Sequence, residues 1–436
     1  YKITSKVVNY AEKKNKKLNI PQQKDTKRNK TAFENPNFKR YWIARVLTVG
    51  GNEMVNATAL WQMWQITRDP FDLGLVGLAQ FAPFFILFLI SGLTADRFSR
   101  KAILSVCMLT MACAAIGLFL VTYTNMVSKP YLLLILVFVG IARAFQAPAQ
   151  HALVPVIVEK DQLSSAIAWS SLGSQMARIS GPALMSALLY FGIDAVYGVT
   201  VMIFVIGAVF NQSINKPMQL ISSEPVTLSL IVAGVRFIIK RKIILGAIGL
   251  DLFAVLLGGA TALLPIFATD ILFVDEWGYG SLRMTIMLGS FICMYYLTQF
   301  PITKFGGKIL LLTVAAFGLS IIIFGLSTNY FLSLFALFFM GASDSISVFI
   351  RNILVQSITP DNMRGRVTAV SSVFIGASNE LGEFESGITA SWWGAVPAVI
   401  VGGIGTVAIS ILFAKLFPDL RKVDSLRTQD LIDRYQ

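Results

Sequence analysis

The stretch NELGEFESG, residues 379–387, carries Glu380, Glu383 and Glu385, and these three carboxylates are the only charges between Val367 and Ala414. A charge at the centre of a lipid bilayer costs about 2.5–3.5 kcal/mol on insertion scales. Carboxylates in such a setting need a partner or a wet cavity. Their placement raises the question of what surrounds them, and the rest of the chain answers it.

Of the 436 residues, 55% are hydrophobic and only 14% are charged. Soluble domains carry roughly 25% charged residues, so the composition points to an all-α membrane protein. Twelve largely apolar segments of membrane-spanning length can be counted: 41–66, 72–94, 102–124, 131–152, 164–190, 196–212, 243–268, 279–302, 308–328, 330–353, 366–390 and 395–416. The net charge of +13 is uneven, with twelve Lys/Arg in residues 1–40. Nucleic acid is one reading of a basic tail. A cytoplasmic tail beside the first span is the better one, because basic residues stay on the inner side. No signal-peptide pattern opens the chain.

The joints support that orientation. With the N-terminus inside, the inner joints carry Arg97, Arg100, Lys101, Lys160, Lys216, Arg236, Lys240 to Lys242, Lys304, Lys308, Arg364 and Arg366. The outer joints carry only Arg68, Lys129 and Arg283. Both termini are therefore expected in the cytoplasm, with Trp61, Trp64, Trp277, Trp392 and Trp393 forming an outer aromatic belt. The widest joint, 213–242, ends in VTLSLIVAGVRFIIKRK (226–242), apolar and then basic, which predicts a helix lying along the inner surface.

A shift of 201 residues brings Gly140 onto Gly341, Leu153–Val154 onto Leu354–Val355, Ile157 onto Ile358 and Ala168 onto Ala369. Six helices are thus followed by six related ones. The expected organisation is a basic tail (1–40), a six-helix bundle (41–212), a linker with an interfacial helix (213–242), a pseudo-symmetric six-helix bundle (243–416) and a second cytoplasmic tail (417–436). Two such halves around a midplane site are the architecture of a rocking transporter.

GLTADRFSRK (92–101) resembles the loop pattern G-x-x-x-D-R-x-G-R-[RK] of the major facilitator superfamily, with Ser99 in place of the second glycine. GIARAFQ (140–146) resembles its arginine-bearing fourth helix, and GPALMSA (181–187) its antiporter-type Gly-Pro pattern. ALVPVIVEKDQLSSAIA, QSITPDNMRGRVTAV and SNELGEFESG resemble the branch with enterobactin exporters and macrolide or multidrug antiporters. The resemblance spans nearly all of 41–420. It implies that Asp96, Arg97 and Arg100 latch the cytoplasmic side as gating residues, and it marks Asp251 as a candidate for proton coupling.

The remaining site candidates follow from charge in apolar surroundings. Glu380 and Glu383 lie about 60° apart on one helix face, where two carboxylates do not both ionise cheaply. They are candidates for proton coupling, whereas Glu385 points elsewhere and is read as structural. Glu53 follows a Gly50–Gly51 pair that permits close helix approach, and it is a third proton-coupling candidate. Arg143 maps onto Asp344 in the repeat, and Arg178 falls one residue from the match to Glu380. The first half offers cations where the second offers anions. Arg143, Arg178 and Asp344, with Asn56 and Gln146, are therefore substrate-binding candidates. Salt bridges joining the halves are the structural alternative.

His151 is the only histidine, and Cys107, Cys113 and Cys293 sit in apolar runs, so no metal site, disulfide framework or cofactor is expected. No phosphate loop is present, and no nucleophile–base set marks an enzyme. The leading expectation is a proton-coupled secondary transporter of alternating-access type in a bacterial inner membrane. It would be a monomer without nucleic-acid partners, exporting a siderophore-like anionic or amphiphilic molecule. A broad-specificity drug exporter, an importer of a siderophore or metabolite, and a non-transporting membrane sensor stay open.

Overall fold

A computed structural model describes residues 32–159, 162–215, 228–426 and 429–431. Most of the basic tail and the linker stretch 216–227 lie outside the described residues. The long helices are α1 (Pro36–Thr67), α2 (Pro70–Arg97), α3 (Arg100–Tyr123), α4 (Lys129–Ile157), α5 (Leu163–Leu189) and α6 (Ile193–Gln212). After the linker come α7 (Leu228–Lys240), α8 (Lys242–Leu257), α9 (Glu276–Gln299), α10 (Gly306–Leu326), α11 (Tyr330–Ile358), α12 (Asp361–Trp393) and α13 (Ala395–Leu416). Short helical turns, ending in a π turn at Phe267–Ile271, extend α8 toward α9.

Polar caps set the helix starts. Asn35 accepts a hydrogen bond from the Asn37 amide ahead of α1, and Asp69 does the same for Phe71 ahead of α2. Asp275 caps α9 and Asn329 caps α11 in the same way. Each satisfies a donor that the first helical turn leaves free. Tight connections between α1 and α2, α2 and α3, and α12 and α13 then force these neighbours to run antiparallel.

Among the described residues, eight helical stretches are long and apolar enough to cross a membrane by length and composition, counting α8 with its extension as Lys242–Ile271. α1, α5, α9 and α12 are as long but richer in charge, serine and glycine, and they fall short of that measure. All four touch the opposite half, as does α2. A helix facing a polar interior does not need an apolar surface all round.

The neighbours repeat between halves. In the first half α1 packs on α5, α2 on α4, and α3 on α6; in the second, α8 packs on α12, α9 on α11, and α10 on α13. The halves meet through two matching contacts, α2 on α12 and α5 on α9. This is the structural counterpart of the 201-residue repeat.

Three expectations change on contact with the structure. Trp61 and Trp64 are 3% and 4% exposed and lie between the halves, whereas Trp277, Trp392 and Trp393 are exposed. Large aromatic rings near an interface serve packing as readily as lipid contact. Arg283, assigned to an outer joint, is a buried residue of α9 whose guanidinium donates to the Tyr279 hydroxyl. The stretch after 417 is partly docked. The Phe305 and Gly307 amides donate to Asp424 and Val423 carbonyls, the Leu426 amide donates to Thr303, and Leu420, Val423 and Leu426 are buried under the second half. α7 appears where the amphipathic linker helix is expected. It packs at Gly234 against the Arg366 carbonyl of α12, leaving Val232 and Ile239 exposed.

A candidate substrate cavity between two helical halves

A cavity of about 240 Å³ opens among α1, α2, α4 and α5. Asn52, Glu53, Asn56, Arg143, Gln146 and Arg178 supply its polar lining. All of its lining residues come from the first half. The second half reaches it through Glu380, whose Oε1 lies 3.0 Å from Nη2 of Arg143.

Arg143 is held from two sides. Its Nη1 donates to Oε1 of Gln80 at 3.1 Å, and Gln80 in turn donates to Oδ1 of Asn56 at 3.1 Å. The result is a polar chain from α1 through α2 and α4 to α12. The Arg143 side chain remains 37% exposed and Glu380 15%, so a solute in the cavity can reach the guanidinium. Gly140, one turn before Arg143, makes this possible: a Cβ there would sit 2.3 Å from the Gln80 carbonyl oxygen. Only glycine lets α2 and α4 approach that closely.

A second layer of charge lies behind the first. Glu383 sits against Gly77 of α2, and its buried Oε2 has no hydrogen-bond partner. Glu53, Glu380 and Glu383 all lie within electrostatic reach of Arg143. Arg283 lies within reach of Glu53 and Glu383. Three carboxylates thus share two guanidiniums in a setting of low dielectric, where a change in any one charge is felt by the others. Such a cluster can bind an anionic group at arginine and pass protons among carboxylates.

Asn56, Gln146, Glu53, Arg143 and Arg178 are brought together as cavity lining, with Glu380 and Glu383 against them. Asp251 and Asp344 are elsewhere. Asp251 forms a buried ion pair with Arg351, joining α8 to α11 inside the second half. Asp344 is half-buried on α11 without a hydrogen bond or ion pair among the described residues. Arg97 is exposed at the end of α2, and Arg100 donates to the Ala152 carbonyl within the first half. The side chain of Asp96 lies outside the described residues. Sequence reasoning missed Gln80, Arg283 and Arg351. Arg351 was legible as one more arginine within an apolar segment. Gln80 was not, because an amide carries no comparable penalty.

The halves touch in the middle and at the end away from the chain termini. There Trp64 donates to Thr269, Arg68 pairs with Asp270 at 3.1 Å, and Ser186 donates to the Glu276 carbonyl. The Tyr279 hydroxyl donates to the Ala57 carbonyl, and its ring stacks on Trp61 at 4.9 Å. All described hydrogen bonds between the halves lie in these two zones. At the opposite end, Gly92 and Gly365 have no neighbour within 4 Å of an added Cβ. The described ties between the halves thus gather in the middle and at the far end, and Gly92 and Gly365 stand free at the end near the termini.

Two helical halves in contact, with a charged cavity in the first and a carboxylate of the second at its wall, fit a multi-pass membrane transporter. The chain belongs to the transmembrane secretion effector family of the major facilitator superfamily, whose sequence profile matches residues 29–433. It is 23% identical over 394 residues to an enterobactin exporter of Citrobacter koseri, covering 89% of this chain and 93% of that protein. It is 22% identical over 403 residues to macrolide efflux protein A of Streptococcus pyogenes, covering 89% and 97%. A bacterial homologue of the lysosomal transporter Spinster, solved in an inward-facing and occupied conformation, shares the fold. Its TM-score is 0.71 at 14% identity, over 88% of this chain and 97% of that one.

Proposed function

We propose that the chain is a proton-coupled secondary transporter that exports a siderophore-like anionic or amphiphilic small molecule by alternating access. The reading takes twelve helices as spans, counting α8 with its extension and leaving out α7. Both termini lie in the cytoplasm, and the protein acts as a monomer in a bacterial inner membrane. The observation that carries it is the Arg143–Glu380 pair at the cavity wall. A guanidinium is the cavity's strongest anion ligand, and it is held by the carboxylate that a substrate anion would displace.

The mechanism follows from that competition. With the termini end open, substrate enters from the cytoplasm and its anionic group takes Arg143 from Glu380. Glu380, next to Glu383 and Glu53, then becomes a proton acceptor. Losing the inter-half pair removes a tie that favours the present conformation, and the far end is free to open. Asn56 and Gln146 orient neutral parts of the substrate by hydrogen bonding. Asp96, Arg97 and Arg100 would latch the termini end once it shuts. Asp251, paired with Arg351, acts as a structural residue in this scheme.

A drug exporter is the second reading. It is favoured by the likeness to the macrolide efflux protein and by Glu53 in the cavity wall, which suits a cationic ligand. Reconstitution in proteoliposomes tests both. Flux of enterobactin, and separately of a macrolide, is followed under an imposed pH gradient and after its collapse. Gradient-dependent flux of enterobactin supports the first reading, and flux of the macrolide alone supports the second. Flux indifferent to the gradient removes proton coupling. The side on which substrate accumulates decides export against import.

A further inference from the structure

The Arg143–Glu380 pair has a counterpart across the repeat with its charges inverted. Shifting by 201 residues carries Arg143 to Asp344 and carries Arg178 to the residue before Glu380. Helix α4 thereby corresponds to α11, and α5 to α12.

The structural settings match as well. Arg143 stands three residues beyond Gly140, where an added Cβ would lie 2.3 Å from the Gln80 carbonyl of α2. Asp344 stands three residues beyond Gly341, where an added Cβ would lie 2.0 Å from the Ile286 carbonyl of α9. Both helices press the same kind of glycine on the neighbour that the repeat predicts. A residue three places on is turned by about 300° from that contact, so Asp344 holds the rotational position that puts Arg143 at the inter-half cavity.

Its would-be partner is also in place. Arg178 lines the cavity and is exposed to it, with no hydrogen bond or ion pair among the described residues. Asp344 is half-buried and equally unpartnered. While the cavity stands open to water Arg178 is solvated, and Asp344 is only half-buried. Closing the termini end expels that water, and an unpaired charge then becomes expensive. The two groups are of opposite sign, on opposite halves, at the midpoints of α5 and α11.

We propose that Arg178 and Asp344 form an ion pair across the halves when the cavity closes at the termini end. The pair is a device for that closed state and makes substrate-free closure possible. The inference rests on the alternating-access reading.

Cross-linking tests it without a substrate. In a background with Cys107, Cys113 and Cys293 replaced by Ala, the pair Arg178→Cys with Asp344→Cys is oxidised in membranes. The comparison adds Gly74→Trp, a wedge at the far end, where even a Cβ would meet the Phe384 carbonyl at 3.0 Å. A second pair, Arg68→Cys with Asp270→Cys, reports that end. The expected result is a several-fold rise in 178–344 cross-linking with the wedge and a matching fall in 68–270 cross-linking. Charge reversal is the second arm: Arg178→Asp should reduce proteoliposome flux several-fold, and adding Asp344→Arg should restore most of it. A 178–344 cross-link that is absent in both backgrounds, or equal in both, overturns the inference, as does a double reversal no better than the single. Failure of the parental protein to transport either probe strikes the transport reading instead and leaves the cross-linking result to stand alone.

Discussion

Nη2 of Arg143 on α4 lies 3.0 Å from Oε1 of Glu380 on α12, and the bond joins the two halves at the wall of the cavity. The same guanidinium is braced by Gln80. The guanidinium thus ties the halves while staying partly exposed, and it sets the first prediction.

Arg143→Ala should lower affinity for an anionic substrate by about 10- to 100-fold, the worth of one or two charge-assisted hydrogen bonds. Arg143→Lys should recover part of it, since an ammonium keeps the charge and loses the fork. Equilibrium binding of enterobactin to purified protein measures both. Unchanged affinity in Arg143→Ala would remove the residue from the site.

Glu383→Gln should preserve the fold, because the amide fills the same space beside Gly77. It should cut gradient-driven flux to a small fraction of the parental rate while leaving substrate exchange without a gradient largely intact. Glu385→Gln, a change on the other side of α12, should stay within about twofold of the parental rate, as substitutions away from a coupled cluster do. The two variants are compared in the same proteoliposome assay. Equal losses in both would argue against a special role for Glu383.

The Asp251–Arg351 pair is buried within the second half. Breaking a buried pair by removing one partner costs about 3–5 kcal/mol, whereas replacing both by apolar groups is often neutral. Asp251→Ala should therefore lower the thermal unfolding midpoint in detergent markedly, and Asp251→Leu with Arg351→Met should regain most of the loss. If Asp251→Ala keeps full stability yet loses gradient-driven flux, Asp251 belongs with the proton-coupling residues after all.

At the far end, the Tyr279 hydroxyl donates to the Ala57 carbonyl at 2.9 Å and accepts from Arg283 at 3.3 Å. Tyr279→Phe removes the tie across the halves and strands the guanidinium. A loss of about 1–3 kcal/mol from the closed far end is expected for such a buried group. Thiol labelling of Trp61→Cys, which faces Tyr279, should then quicken several-fold. No change in labelling would show that the remaining ties, Trp64 to Thr269 and Arg68 to Asp270, hold that end without it.

The sequence made the broad plan legible because burial in lipid leaves coarse marks. Long apolar runs follow from the solvent, and the 201-residue echo reappears in paired helix contacts. Arg143, Glu380 and Glu383 stood out because charge in an apolar run is rare. Trp61 and Trp64 look like belt residues in the sequence, because a tryptophan at a helix end looks the same whether lipid or a second half covers it. Charge counting puts Arg283 in a joint because it cannot see that α9 already starts at its Asp275 cap.

What the sequence by itself determined is the list of ionisable groups, their helices and the two-fold plan. Pairing was decided only by the tertiary structure. Asp251 turns to Arg351 within its own half, Glu380 turns to Arg143 in the other, and Asp344 and Arg178 turn to no charged partner among the described residues. Charge sign and helix periodicity restrict which groups can meet. Which of them do meet depends on the rotation and depth at which helices pack, and those are set by close approaches such as Gly140 against Gln80, between residues far apart in the chain.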